Sequence, residues 1–313
     1  MGGNVFADNA SSIKREHITP TLTAYFAELS TLFPSKDYIF NTDHFIPLGS
    51  AGKKAVSGDI DLGVDIRDIF DLNDVYGSLE EWGLIAAEYE DEFIQLKKRA
   101  RTSSDDQLRV KAFLKLLTQC INDHAEHIFC DEKKVTDGNI FTLFPQVDEN
   151  NFGLGVGVQI DWMVGNIEWL KFSYYSAAYP EESNVKGLHR TQLMLSAFQL
   201  AGLSFAHVSG VKDKHTGEAV AVSPEGALHV LSARLGFTIS RDDAENYYKL
   251  HQLLKENLIS TDYNNLLAIY FKILDSTRVD IPDDLQLYWI ARKDPLGLTG
   301  KFLPETSKLR EYV

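Results

Sequence analysis

Between positions 57 and 66 the chain reads SGDIDLGVDI, and this run constrains the fold more than any other. Ile60, Leu62, Val64 and Ile66 alternate with Asp59, Asp61, Gly63 and Asp65. That is the period of a half-buried β-strand, whose successive side chains point to opposite faces. One face must therefore pack on an apolar core. Carboxylates two residues apart share the other face and converge. Two such carboxylates repel each other unless a cation lies between them.

A third aspartate fits the same pattern about 100 residues on. Val156, Val158, Ile160 and Trp162 alternate with Gly157, Gln159, Asp161 and Met163, which predicts a strand over 156–162. A strand over 140–147 precedes it, and Gly153, Gly155 and Gly157 predict a bend or bulge between the two. Upstream, an extended segment over 43–48 closes in the small-residue turn Gly49-Ser50-Ala51-Gly52.

The remainder is mostly helical in pattern. The first helix is expected to begin with Thr19 as N-cap and Pro20 at its first position. Its apolar residues Leu22, Tyr25, Phe26, Leu29 and Leu32 recur at helical spacing. Residues 73–123 read as two or three helices, including the run EYEDEFIQLKKRAR, whose acidic-to-basic order suits the helix dipole. After about residue 168 helices dominate, interrupted by a hairpin at 206–222. Ser223-Pro224 reads as an N-cap followed by a first-position proline, and Ser240 with Asp243 as a capping box. The expected fold class is α+β: a mixed sheet backed by helices over 1–167, with a helical insert at about 68–135, then a mainly helical subdomain over 168–313.

Magnesium is the natural cation for such carboxylates, being hard, oxygen-seeking and commonly shared with substrate phosphates. Asp59 and Asp61 are assigned to two ions, with Asp161 on the ion that activates an acceptor hydroxyl and in position to accept its proton. Manganese is the expected substitute. Gly49 and Ser50, taken to open a short helix, would offer N–H groups and a hydroxyl to β- and γ-phosphates. Lys53 and Lys54 would add positive charge there. An Asp-x-Asp by itself is often only a solvated strand edge. The upstream Gly-Ser turn and the lone aspartate of a distant strand make the combination specific.

The segment PLGSAGKKAVSGDIDLGV resembles the core motif of the DNA polymerase β-like nucleotidyltransferase superfamily, and VQIDWMV resembles that superfamily's later single-aspartate strand. The resemblance covers roughly residues 19–165 and is specific at these motifs. It implies a mixed, largely antiparallel sheet backed by helices, and transfer of a nucleoside monophosphate from a triphosphate to a hydroxyl. The insert of about 100 residues between the second and third carboxylates departs from the family pattern and leaves the acceptor open. MGGNVF at the start, with KGLHRTQLMLSAFQL later, also resembles uncharacterised nucleotidyltransferases of bacteriophages. In related enzymes, helices after the third carboxylate help bind the nucleotide. His189 and Arg190 are accordingly expected either to touch triphosphate or base, or to be ordinary charges at a helix start. Tyr174, Tyr175 and Tyr179 either stack on a base or serve in packing.

Other motifs compete with this one. Cys120, His124, His127 and Cys130 invite a zinc site, but one continuous helix cannot easily wrap four ligands around an ion. Gly49-Ser50-Ala51-Gly52-Lys53 is not a phosphate-binding loop of the Walker type, since Pro47 and Lys54 stand where glycine and serine or threonine are needed. The acids of 88–92 read as a solvated face, and Lys97, Lys98, Arg99 and Arg101 either guide an RNA end or balance those acids. A net charge of −14 argues against tracking a long polynucleotide. Neither a membrane span nor a secretory signal is legible, and two cysteines make no disulfide framework, so a cytoplasmic protein is expected, in the host cytoplasm if it is phage-encoded.

The acceptor stays open at this point between an RNA 3′ end, a small hydroxylated molecule and a protein side chain. The rival reading is a structural or binding protein, of a viral particle for example, that keeps the fold without the chemistry. Binding of magnesium with ATP or CTP separates the two.

Overall fold

The computed structural model describes residues 5–6, 9–71, 73–84, 106–136, 138–150, 152–177, 185, 187–207, 209–277 and 280–293. Strand β1 (Ile13–Lys14) runs straight into helix α1 (Arg15–Leu32). Strands β2 (Phe45–Pro47), β3 (Val56–Ser57) and β4 (Ile60–Asp65) follow. Helices α2 (Ile66–Ile69), α3 (Val75–Glu81) and α4 (Asp106–His124) separate these from β5 (Phe129–Cys130), β6 (Asn139–Val147) and β7 (Gly153–Gly165). Next come α5 (Ile167–Ser173), α6 (Gly187–Leu200) and strands β8 (Leu203–Ala206), β9 (Gly210–Asp213) and β10 (Ala219–Ala221). The last described elements are α7 (Pro224–Leu235), α8 (Arg241–Ala244), α9 (Tyr247–Asn257), α10 (Ser260–Thr277) and α11 (Gln286–Lys293). The fold is mixed α+β, and among the described residues no helix is long and apolar enough to cross a membrane.

The principal sheet has five strands in the order β2-β4-β7-β6-β5. Only β4 and β7 are parallel; each other neighbouring pair is antiparallel. Alternate burial along β6 follows the period-2 pattern, while most of β4 and β7 is covered on both faces. The predicted bend lies at the start of β7, where Gly155 has φ +71° and the register shifts between Pro145 and Val147.

Helix α1 covers one face of this sheet. Leu22, Tyr25, Phe26 and Leu29 are buried at the spacing that put them on one stripe. The Tyr25 hydroxyl accepts a hydrogen bond from Trp162 Nε1 at 2.8 Å and lies 3.1 Å from Thr142 Oγ1, which in turn donates to the Ile160 carbonyl at 2.7 Å. This network ties the helix to both long strands where water is excluded.

The helix begins at Arg15 rather than at Thr19, which corrects the expected start. Arg15 N–H donates to the Ala55 carbonyl at 2.9 Å, and its side chain donates to the carbonyls of Lys54 and Lys53. That anchoring starts the helix one turn early and outweighs the single backbone bond that Pro20 cannot make. The Ser223 and Ser240 caps form as expected, the latter as a full capping box. The expected hairpin is β9 and β10, joined by β8 into a three-stranded sheet.

Apolar burial falls into two large clusters, one drawn from Ile13 to Val164 and the other from Trp169 to Leu285. A small third cluster of Leu48, Met163 and Leu170, with Ile167 and Tyr174 against it, lies where the two parts meet. Val64 and Trp169 thus belong to different cores although α5 lies against β4 and β7.

Tyr25→Phe removes the acceptor of the Trp162 indole N–H in a site with no exposed surface. The expected cost is about 1–3 kcal/mol, the penalty of an unsatisfied buried donor. Urea unfolding of the variant against the parent measures it.

Candidate metal centre and cleft

Parallel pairing of β4 and β7 places Ile60 beside Ile160, Asp61 beside Asp161 and Leu62 beside Trp162. In-register residues on neighbouring strands point to the same face about 4.8 Å apart. The apolar neighbours enter the core under α1, so both aspartates emerge on the opposite face. Asp59 stands one residue before β4 and completes the group. One carboxylate oxygen from each of Asp59, Asp61 and Asp161 lies within 4.8 Å of the others. Among the described residues this is the sole group of histidine, cysteine and acidic side chains close enough to share a metal ion. Asp65, the next acid of the motif, instead caps α2 and pairs with Arg67.

Burial sets the electrostatics. It raises the carboxyl pKa of Asp59, and that of Asp61 further still because Asp59 adds its charge. Asp161, with no exposed surface, is pushed up to about 8 by burial first and by Asp61 second, against a lowering hydrogen bond from Gln159. Oδ1 of Asp61 is buried with no hydrogen-bond partner. Three crowded oxygen donors with an orphaned lone pair match a hard divalent cation, which relieves their repulsion without protonating them.

Gly49 sits directly against this centre. Its φ is +59°, a left-handed conformation that favours glycine, and a Cβ there would stand 2.8 Å from Asp61 Oδ2, so a side chain at this position would displace that carboxylate. The turn does not open a helix, however. Lys53 N–H closes it onto the Ser50 carbonyl at 3.0 Å, and Ser57 Oγ donates to the same carbonyl at 3.2 Å. The Gly49 N–H, expected to meet phosphate, donates to the Tyr174 carbonyl at 3.2 Å. Docking of the chain after α5 has taken that donor.

A cavity of about 380 Å³ opens above the carboxylates. Gly49, Ser50, Lys54, Val56 and Gly58 form one side, with Asp59 and Asp61 at its base. The opposite side comes from the second half of the chain: Tyr174, Tyr175 and Ser176 after α5, Gly187, Leu188 and Thr191 on α6, and His207 after β8. His207 is held neutral, its pKa pushed down to about 4 by burial, and its Nδ1 has no protein partner. Its ring lies 5.2 Å from that of Tyr174.

Several expected residues land elsewhere. Lys53 donates through Nζ to the Ser176 carbonyl at 2.7 Å and lies 5.4 Å from the Tyr175 ring, while Lys54 lines the cavity. His189 and Arg190 do not reach it. His189 Nδ1 is 3.0 Å from the Tyr270 hydroxyl, and Arg190 donates to the carbonyls of Phe172 and Ala244. Both are fully buried in the second half. The reason is helical phase: Leu188 and Thr191 share the cavity face of α6, and the two residues between them turn inward. Lys97, Lys98, Arg99, Arg101, the acids of 88–92 and Tyr179 lie outside the described residues. His127 bonds Glu28, and Cys130 N–H donates to Asn122.

Gln159 was missed although a signal existed. It precedes Asp161 by two on a strand, hence shares its face, and Nε2 lies 2.9 and 2.8 Å from the two Asp161 oxygens. No comparable signal marks Ser176, Thr191 or His207, whose approach depends on how the second half docks.

The sequence matches no known family model and no curated protein sequence.

Two outcomes follow from this geometry. Gly49→Ala pushes its methyl against the Asp61 carboxylate and is expected to weaken divalent-ion binding in a manganese titration while leaving the far-UV circular dichroism intact. A carboxyl whose folded pKa lies above its unfolded value destabilises the fold as pH rises through that interval, here from about pH 4 to about pH 8. In chelator at pH 8.5, Asp161→Asn should therefore melt at a higher temperature than the parent, with the gain vanishing near pH 4. A lower melting temperature for the variant at pH 8.5 would contradict the burial argument.

Proposed function

We propose that the protein is a metal-dependent nucleotidyltransferase that moves a nucleoside monophosphate from a nucleoside triphosphate to an acceptor hydroxyl. The observation that carries this reading is the convergence of Asp59, Asp61 and Asp161 within 4.8 Å beside Gly49 in a left-handed turn, at the base of a cleft. The order of parts supports it too. A short strand, a Gly-Ser turn, an Asp-x-Asp strand and a later single-aspartate strand in register with it match the polymerase β-like pattern.

Asp59 and Asp61 would hold two magnesium ions and Asp161 one of them. When bound, the metal supplies a lowered pKa at the acceptor hydroxyl and neutralises charge on the departing pyrophosphate. The acceptor oxygen attacks the α-phosphorus, forming one P–O bond as the bond from that phosphorus to the bridging α–β oxygen breaks. Pyrophosphate leaves with the bonding pair. Asp161, on the ion beside the acceptor, is the carboxylate placed to take the hydroxyl proton. Ser50 and Lys54 on the cleft wall meet the phosphates by hydroxyl and by charge. Tyr174, Leu188, Thr191 and His207 on the facing wall enclose the rest of the substrate and exclude water from the reacting atoms.

Transfer from each α-³²P nucleoside triphosphate, with magnesium, into total RNA, total protein and a small-molecule extract tests the proposal and identifies the acceptor class. Label is expected in one fraction, falling to background in a variant carrying Asp59→Ala with Asp61→Ala. Label that survives the double substitution removes the triad from the chemistry. Absence of label together with absence of magnesium–ATP and magnesium–CTP binding favours a structural protein.

A further inference from the structure

We propose that Gln159 is the positioning residue of the metal centre, holding the Asp161 carboxylate in its ligating orientation, and that Val5 in turn holds Gln159. The inference rests on the reading of the three aspartates as metal ligands.

Gln159 has no exposed surface. Its carboxamide is used at both ends. Nε2 donates to Asp161 at 2.9 Å and 2.8 Å, and Oε1 accepts from the Val5 N–H at 3.1 Å. The Val5 contact settles which way the amide faces, because a backbone N–H can only meet the oxygen end. The donor end is thereby forced toward Asp161. Val5 itself is held, its carbonyl accepting from Lys134 Nζ at 3.2 Å, and Ser11 N–H donates to the Gly157 carbonyl at 2.8 Å. Gly157 permits the close approach, since a Cβ there would stand 2.9 Å from the Asn9 carbonyl oxygen.

The chemistry favours an amide at this place. A carboxylate crowded by two others turns away from them unless something fixes it. A lysine or arginine would fix it but also cancel its charge and compete with the cation. A neutral amide donor fixes it and leaves the full charge for the metal. A carboxylate offers about four lone-pair sites, so bonds from one nitrogen leave capacity for ligation. Partners of this kind behind a ligand commonly contribute 10–100-fold in metal affinity.

Manganese binding to the full chain, followed by calorimetry and by the paramagnetic resonance signal of free Mn²⁺, supplies the test without reliance on turnover. The proteins compared are the parent, Gln159→Leu, Gln159→Asn, Asp161→Asn and the double variant Gln159→Leu with Asp161→Asn. Gln159→Asn keeps a buried amide one methylene too short to span both partners, so it serves if the leucine variant does not fold. Each Gln159 variant is expected to bind the Asp161-dependent ion about 10–100-fold more weakly than the parent. The double variant should bind no more weakly than Asp161→Asn alone, because both act on one ligand. A purely structural role would lower the melting temperature in chelator and leave manganese affinity unchanged. Parent-like binding by folded Gln159 variants, with weakened binding by Asp161→Asn, overturns this proposal and spares the metal centre. Parent-like binding by Asp161→Asn overturns both.

Discussion

Parallel pairing of β4 with β7 is the interaction on which the rest of the molecule depends. It brings Asp61 and Asp161, 100 residues apart in the chain, side by side on one face of a sheet. The same register sends Ile60, Leu62, Ile160 and Trp162 to the other face, all with no exposed surface. An apolar core and a carboxylate cluster are therefore two sides of one set of backbone hydrogen bonds. Slipping β7 by one residue would turn Trp162 outward and Asp161 into the core, so burial of the large indole also protects the register. The contacts of Trp162 with Tyr25 and with the Phe45 ring, 4.8 Å away, reinforce that choice from α1 and β2.

The turn after β2 serves two masters. Its glycine gives the centre room, yet its backbone N–H and the Lys53 ammonium are bound to carbonyls of the chain leaving α5. Those bonds set the facing wall of the cleft at a fixed distance from the carboxylates. Groups that a motif-based reading gives to the substrate are here used to join the two halves, and Ser50 and Lys54 are left on the open side. The cleft is shaped by that junction as much as by the sheet.

How much was legible varies with the range of the physics involved. The strands carrying Asp59, Asp61 and Asp161 were readable because alternation is a local property, and the Gly-Ser turn with the lone distant aspartate set these carboxylates apart from a solvated strand edge. The caps at Ser223 and Ser240 were readable for the same reason. The start of α1 was misread because its first turn is held by Lys53, Lys54 and Ala55, nearly 40 residues away, and no local signal reports that. His189 and Arg190 were misplaced because charge next to an apolar helix says nothing about phase. Leu188 and Thr191 of α6 face the cleft and the two residues between them serve as buried links to Phe172, Ala244 and Tyr270. Gln159 was within reach of the strand period but overshadowed by its acidic neighbour.

By itself, then, the sequence determined an α+β chain with two carboxylate-bearing strands, a glycine turn ahead of the first, and helices with well-defined caps, since each of these follows from short-range sterics and period. Tertiary structure alone decided that the two strands pair in parallel, that Asp61 and Asp161 share a register position, which lysine faces the cleft, and which side chains of the second half close it. Those outcomes depend on packing and on hydrogen bonds between segments far apart in the chain, where a residue's role is set by the partner it meets rather than by the neighbours it is written beside.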